Sequence, residues 1–337
     1  MKKHLSKVLR VILTAAILVG LVLFARTVNW SDTWRAIRDA DWWILLFAAV
    51  VNLASLVLKG VRWWIFLRPV GAGSFWMALK ATFAGAGLNN ILVANGGEAA
   101  RVIFVARASH VQSAKVLATL ALERMFELIG YVVLLALAVS FLALPHALER
   151  TRPVAWATLV LVAGLLAYLI RRPEQVEIVV TPAVGWKSRV RGYMKRFLHT
   201  IGGISTGPRF TAAMLLSVGV WALQVATYAL TARAAHFDIS LVGTVAAILA
   251  VNLGFAIRAT PGNVGVFQAM YALTAAGFGM DKNQAIAVAF LIQTQQIIPV
   301  TLLGVGLAPE FIFKKRRPLG VDRSVDEADA AVIQSAD

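Results

Sequence analysis

The chain has 337 residues, of which 59% are apolar and only 15% are charged. With a mean hydropathy of +0.74, this composition excludes a soluble domain and predicts a helical protein that crosses a membrane several times. The lack of cysteine excludes disulfides, thiol catalysis and thiolate metal sites. The net charge of +16 lies mostly between apolar stretches, where it orients a membrane protein and contacts anionic lipid, so we expect no nucleic-acid partner.

Six apolar stretches are long enough to cross a bilayer. The first follows a basic N-terminus and resembles a signal peptide, but its length predicts a retained helix. The predicted crossings are Val8–Ala25, Trp42–Leu58, the extended helix Val111–Leu144, Val154–Ile170, Phe210–Ala232 and Asn283–Leu307.

Basic residues are concentrated in four segments, which the positive-inside rule places in the cytoplasm. These segments are the N-terminus, the stretch with Lys59, Arg62, Arg68 and Lys80, the loop Arg171–Arg209 and the run Lys314–Arg317. The sequence therefore predicts a multi-pass protein of the cell membrane with both termini in the cytoplasm.

Two helices are predicted to lie on the membrane surface. Trp30, Trp34 and Ile37 recur at helical spacing, and the capping candidates beside them are Ser31, Asp32 and Thr33. In the second half, the segment 186–204 has an apolar, aromatic face and a cationic face, typical of a helix in the headgroup plane. A surface helix of a cytoplasmic loop is the alternative for this segment.

Glycine-rich polar breaks interrupt two further apolar stretches, at 88–98 and 253–265. Irregular backbone survives at membrane depth only where protein or water satisfies it, and paired interruptions indicate the binding site of a repeat-built transporter. We therefore expect two re-entrant hairpins, at about 74–97 from the cytoplasmic side and at about 240–277 from the outside. Two polar, kinked full crossings remain an alternative.

The order of elements repeats along the chain. Residues 1–145 form a first predicted repeat with three crossings, and residues 146–310 form a second. Because three is odd, the second repeat must be inverted, which places a site at the midplane. The predicted fold is an all-α polytopic membrane protein with six full crossings and two re-entrant hairpins, followed by a charged, disordered cytoplasmic tail at 311–337.

Charged residues follow the first break. Glu98 and Arg101 are spaced to share a helical face and to pair, and Glu123, Arg124 and Glu127 interrupt the next helix. Charge within a membrane is costly and therefore marks a functional site by default. The structural alternatives are a helix cap for Glu98 and a local ion-pair cluster for the other three.

Further candidates lie in the breaks themselves. Arg258 suits a phosphate oxygen through its fork of donors, although an arginine that reaches the outer headgroups is equally plausible. The candidate polar residues are Asn89, Asn90, Asn263 and, more weakly, Gln268. The residues expected to shape the breaks are Gly96, Gly97, Pro261, Gly262 and Gly265. No catalytic constellation, metal-ligand spacing or nucleotide motif occurs in the sequence, so we expect no enzyme and no cofactor or metal.

These elements together resemble the transmembrane domain of the lysylphosphatidylglycerol synthase family, a group of flippase-like membrane proteins that includes the UPF0104 type. The resemblance extends to about Leu307 and is carried by three short motifs in order: Gly97-Glu98-x-x-Arg101, Glu123-Arg124 and Pro261-Gly262-x-x-Gly265. It implies handling of lipids or lipid-linked molecules, and possible homodimers. Members that synthesise aminoacyl-lipids carry a soluble transferase domain after the membrane part. In this chain the charged tail at 311–337 occupies that position, so we expect no synthesis of aminoacyl-lipids.

Two departures from the family pattern affect the mechanism. A proline usual near the first break is missing from Ala94-Asn95-Gly96-Gly97, and Gln268 replaces the acid that commonly follows the second motif. Symmetric proton coupling through carboxylates in both hairpins is therefore not expected.

The function predicted first is translocation of an anionic phospholipid or a polyprenyl-linked lipid through a cleft between the hairpins. Three alternatives stay open. The chain could be an accessory subunit of a lipid-synthesis enzyme, or a transporter of a small soluble anion. It could also be a membrane-embedded transferase that uses Asp32, Asp39 or Asp41.

Overall fold

The computed structural model describes residues 28–91, 96–141, 207–255 and 263–312, together with Arg26 and a few single positions between 153 and 164. Every regular element in these segments is a helix, which confirms the predicted all-α class. Four predictions fall outside or almost entirely outside the described residues: the crossings Val8–Ala25 and Val154–Ile170, the surface helix at 186–204 and the tail at 311–337.

The first half begins with a short helix and a long apolar one. Helix α1 spans Trp30–Arg38, and its cap is Asn29, whose side chain accepts from the Ser31 and Asp32 amides. The predicted caps Ser31, Asp32 and Thr33 were therefore wrong by one turn, because all three lie inside the helix. Helix α2 spans Trp42–Leu67 and is capped by Asp41.

Helix α2 is longer than the predicted crossing Trp42–Leu58. It ends in a 3-10 turn, Arg68–Val70, which Gly71 closes at φ 94°. Lys59 and Arg62 consequently lie within the helix rather than in a cytoplasmic loop, and Arg62 is completely buried. The sequence assigned both residues to the cytoplasmic side and did not predict that Arg62 is buried.

Helices α3 (Phe75–Ile91) and α4 (Gly96–Ser109) form an antiparallel pair, here called the first hairpin. Near its open end Ser109 Oγ donates to Met77 Sδ over 3.2 Å, and near its tip the Gly97 amide donates to Asn89 Oδ1 over 2.9 Å. A Cβ on Gly85 would lie 2.9 Å from the Gly97 carbonyl oxygen, so glycine allows the backbones to touch. Helix α5, Ser113–Phe141, follows.

The described part of the second half contains a long helix, two shorter helices and a second long helix. Helix α6 spans Gly207–Ala234, α7 Leu241–Gly254, α8 Val266–Ala276 and α9 Lys282–Ile312. Helices α7 and α8 form the second hairpin, in which a Cβ on Gly254 would lie 2.7 Å from Met270 Cγ. Among the described residues, three helical segments are long and apolar enough to cross a membrane: Trp42–Val70, Pro208–Ala234 and Lys282–Leu307.

The packing of the helices centres on the long helices α2 and α9. Helix α2 lies along α6, and α9 packs against both α3 and α8, so α9 contacts both hairpins. At the α3–α9 contact a Cβ on Gly87 would meet Gly304 Cα at 2.8 Å. The largest apolar core surrounds α6 to α9 and includes Phe267 and Ile286. A second core surrounds Trp63 beside the first hairpin.

Candidate functional site

Seven charged side chains meet where α2, α4 and α5 come together, beside the first hairpin. This charged cluster consists of Lys59 and Arg62 from α2, Glu98 and Arg101 from α4, and Glu123, Arg124 and Glu127 from α5. The structure thus brings together the four charged residues that the sequence predicted beside the first break. It adds Lys59, Arg62 and Glu127.

The inner part of the charged cluster is shielded from solvent. Arg101 pairs with Glu123, and the Arg62 guanidinium lies 3.7 Å from the same carboxylate. The side chains of all three are at most 6% exposed. Ionised groups tolerate such burial only when they are paired and hydrogen-bonded, and Arg62 gains a further bond by donating to Ser217 Oγ over 2.8 Å.

The outer part of the charged cluster opens toward the surface. Arg124 pairs with Glu98 and with Glu127, the latter over 2.5 Å. Lys59 Nζ lies 3.5 Å from Glu127. The Arg124 side chain is 49% exposed, so exposure rises from Arg62 to Arg124.

The pairing differs from that expected along α4. The sequence spacing predicted that Glu98 and Arg101 pair with each other, whereas the pairs seen run from α4 to Arg124 and Glu123 of α5. The two helices pack side by side, which brings the opposite charges of the neighbouring helix within reach. These pairs therefore join the first hairpin to α5.

The charged cluster carries an excess of cationic groups. Four cations face three carboxylates, which leaves one net positive charge. Arg62 Nε and Arg101 Nε are buried and make no hydrogen bond. An anionic oxygen is the natural partner for such donors.

The tip of the first hairpin uses both predicted asparagines structurally. Asn89 Oδ1 accepts from the Gly97 and Glu98 amides, at 2.9 and 3.3 Å, and so satisfies the N-terminus of α4. Asn90 Nδ2 donates to Thr301 Oγ1 over 3.0 Å and to the Ile297 carbonyl over 3.4 Å, which ties the hairpin to α9. Gly96 begins α4.

The second break is described at its two ends, 253–255 and 263–265. Asn263 adopts φ 58° and Gly265 φ 90°, and Asn263 Nδ2 donates to the Gly254 carbonyl over 3.3 Å. Gln268 Oε1 accepts from the Gly265 amide over 2.6 Å, and its amide group donates to Gln293 over 2.5 Å. The predicted residues Arg258, Pro261 and Gly262 lie outside the described residues.

The carboxylates weighed for a transferase have structural partners. Asp41 caps α2, and Asp32 pairs with Arg35 over 2.6 Å. Asp39 lies 3.9 Å from Arg38 on the exposed surface. Within the segments that the structure describes, no three His, Asp or Glu side chains converge in a metal-binding arrangement.

Sequence reasoning missed Arg62 and its neighbours. The Arg101 guanidinium carbon lies 4.4 Å from the centre of the Trp63 ring, whose Nε1 donates to Thr119 over 3.1 Å. The sequence did contain a signal for a longer helix, because no proline follows the apolar run until Pro69. Lys59 and Arg62, three residues apart, therefore share one face of that helix.

Comparisons with known proteins agree with the motifs on which the charged cluster is built. A family profile described as "Lysylphosphatidylglycerol synthase TM region" matches residues 10–304. The chain is 25% identical over 319 residues to the UPF0104 membrane protein PH1989 of Pyrococcus horikoshii, covering 86% of this chain and 94% of that protein. It is 24% identical over 338 aligned positions to the glycosyltransferase AglD of Haloferax volcanii, covering 88% of this chain but 53% of that protein.

Proposed function

Because the chain belongs to the family of the lysylphosphatidylglycerol synthase transmembrane region, as its motifs predicted, we propose that this multi-pass membrane protein translocates an anionic lipid. The headgroup enters between the two hairpins, and the tails stay in the bilayer. The observation that carries this proposal is the buried charged cluster, with its net positive charge, beside the first hairpin.

The exposure gradient supports an entry route through Arg124. A phosphodiester that reaches Arg124 can take the place of one of its two carboxylate partners, since an arginine fork binds phosphate and carboxylate alike. The displaced carboxylate, Glu98 or Glu127, would then be released from Arg124. The unpartnered guanidinium atoms of Arg62 and Arg101 would draw the phosphate inward.

Helix lengths support two re-entrant hairpins. At 1.5 Å per residue, α7 and α8 are about 21 and 17 Å long, well short of a hydrocarbon core of about 30 Å. Each hairpin would thus reach only partway across the bilayer, one from each face, between six full crossings. This inverted arrangement, in the cell membrane with both termini in the cytoplasm, lets the site open alternately to either side.

Reconstitution tests the proposal directly. The purified full chain is placed in liposomes that contain a fluorescent anionic phospholipid, and the label left accessible to an external quencher is followed over time. We expect movement between leaflets that falls at least about tenfold in Arg124→Gln, the loss that removing a charge-assisted contact predicts. Arg107→Gln, an exposed arginine on α4, is the matched control and should leave the rate unchanged.

The partial alignment with the glycosyltransferase AglD favours one further candidate function. This chain aligns with about half of AglD, so a membrane part of this kind can occur in a protein named for glycosyl transfer. The chain would then be an accessory subunit that presents a lipid-linked substrate to a separate enzyme. Copurification with such an enzyme, with no lipid movement by the isolated chain, would favour this candidate over translocation. Formation of a homodimer would be compatible with both.

A further inference from the structure

A seam of uncharged hydrogen-bonding side chains runs through the middle of the protein, from the charged cluster to the second break. Its members lie on α2, α6, α8 and α9, and all but Gln268 lie away from the family motifs. This amide seam consists of Asn52, Ser55, Gln224, Thr231, Gln268, Gln293, Gln295 and Gln296.

The amide seam begins two helical turns from the charged cluster. Arg62 contacts Ser217 across the α2–α6 interface, and Ser55 accepts from Gln224 Nε2 over 3.1 Å across the same interface. The two contacts are about 10 Å apart along α2. Gln224 Oε1 in turn accepts from Gln296 over 3.4 Å, which extends the amide seam to α9.

The amide seam continues along α9 to the second hairpin. Thr231 donates to Gln295 Oε1 over 3.0 Å, and Asn52 donates to the Gln295 carbonyl over 3.4 Å. Two residues earlier on α9, Gln293 accepts from Gln268, whose side-chain oxygen accepts from the Gly265 amide. The hydrogen bonds therefore cross from α2 and α6 to α9, and from α9 to the second break.

One side chain within the amide seam and one at the second break lack partners for a buried atom. Gln295 Nε2 and Asn263 Oδ1 make no hydrogen bond, and these residues are 7% and 6% exposed. A buried donor or acceptor without a partner is unfavourable. The amide seam thus holds one free buried donor and the second break one free buried acceptor, and each can bond a hydroxyl group.

We propose that the amide seam is a second headgroup subsite, which binds the hydroxyl groups of a polyol or sugar attached to the lipid phosphate. This inference rests on the proposed function and names the substrate class. The charged cluster holds the phosphate, and the amides, which both donate and accept, exchange their mutual bonds for bonds to hydroxyls. Hydrogen bonds between uncharged side chains of neighbouring membrane helices are weak, so the side chains of the amide seam can separate to admit a headgroup. Separating a buried ion pair costs much more.

The test uses anionic probes of equal charge that differ only in hydroxyl groups. Affinities of the full chain in neutral phosphatidylcholine nanodiscs are measured for phosphatidylinositol against phosphatidylmethanol, and for a polyprenyl phosphohexose against a polyprenyl methyl phosphate. We expect a preference of about tenfold for the hydroxylated member of at least one pair, as one or two neutral hydrogen bonds provide. The pair that shows it identifies the source of the headgroup.

Substitutions in the amide seam test whether this preference for hydroxylated probes arises there. Gln224→Met, of similar volume but apolar, should remove most of it and leave the affinity for the probe without hydroxyls within about twofold. Gln296→Met gives an independent measurement should Gln224→Met fail to fold. Thr227→Val is the matched control, because this buried α6 hydroxyl bonds the Leu223 carbonyl of its own helix.

The outcomes separate this inference from the proposed function. Arg62→Gln should weaken all four probes alike, and an unchanged affinity would count against the charged cluster and leave the amide seam standing. Equal affinity within both pairs, or a preference that survives both glutamine substitutions, overturns the amide seam as a subsite and leaves translocation itself untouched.

Discussion

Arg101 stacks on Trp63 while its guanidinium pairs with Glu123, so one side chain of the first hairpin is held by both α2 and α5. The indole is completely buried and anchored by its bond to Thr119. The guanidinium lies over the indole and bonds the carboxylate at the same time, an arrangement that suits its planar shape better than the compact ammonium of a lysine. The position of the first hairpin relative to the membrane spans thus depends on this arginine.

We expect Arg101 and Glu123 to behave as a pair in stability measurements. Arg101→Met should destabilise the protein by about 3–5 kcal/mol, because Glu123 then remains buried with only Arg62 nearby. The double variant Arg101→Met/Glu123→Leu should recover most of this loss, since an apolar pair of similar volume is often neutral. Denaturant titration in detergent micelles measures both.

Lipid movement in the same variants separates folding from function. The double variant should fold as well as the wild type and yet move lipid at least about tenfold more slowly, because Arg101, one of the two inner cations, is gone. Full activity in a stable double variant would show that the buried pair only supports the fold.

The sequence predicts those helices whose length and position follow from apolar composition alone. Apolar runs and glycine breaks predicted α6, α9 and the second pair of helices to within about five residues, because length and hydropathy report directly on the membrane environment. The end of the first pair was wrong, since the predicted segment stops at 97 whereas α4 continues to Ser109. The end of α2 was missed. Lys59 and Arg62 belong to the same basic stretch of sequence as Arg68 and Lys80, and only partners on α5 and α6 give them a different role.

Motif spacing also predicted which residues belong to the candidate site, but not which of them pair with each other. Glu98, Arg101, Glu123 and Arg124 do converge, but which acid pairs with which base depends on how α4 and α5 pack. Spacing along one helix carries no information about the neighbouring helix. The roles of these residues in binding remain predictions that the experiments above address.

Asn89 should contribute to the stability of the first hairpin through its bonds to the start of α4. Asn89→Ala removes an acceptor for the Gly97 and Glu98 amides, and we expect a loss of about 1 kcal/mol. Asn252→Ala is the control, since this exposed asparagine bonds the Ile248 carbonyl of its own helix. Thermal unfolding of both variants measures the difference. Equal losses would contradict a specific capping role.

The contact between Gly87 and Gly304 should tolerate no side chain. A Cβ on Gly87 would lie 2.8 Å from Gly304 Cα and 2.9 Å from the Val300 carbonyl oxygen. Gly87→Ala should therefore separate α3 from α9 and destabilise the protein by about 1–3 kcal/mol. A Cβ on Gly306, on the same helix α9, meets nothing within 4 Å. Gly306→Ala should be neutral or stabilise by up to about 1 kcal/mol through helix propensity.

The two hairpins should open to opposite sides of the membrane, and the lack of native cysteine makes this directly measurable. Ser74 and Ser113 flank the first hairpin, and Asp238 and Asp281 flank the second; all four are exposed. In single-cysteine variants, a membrane-impermeant maleimide applied outside intact cells should label positions 238 and 281 and spare 74 and 113. After permeabilisation all four should react. Labelling of 74 and 113 from opposite sides would make the first hairpin a full crossing, and the inverted arrangement of the two halves would then be wrong.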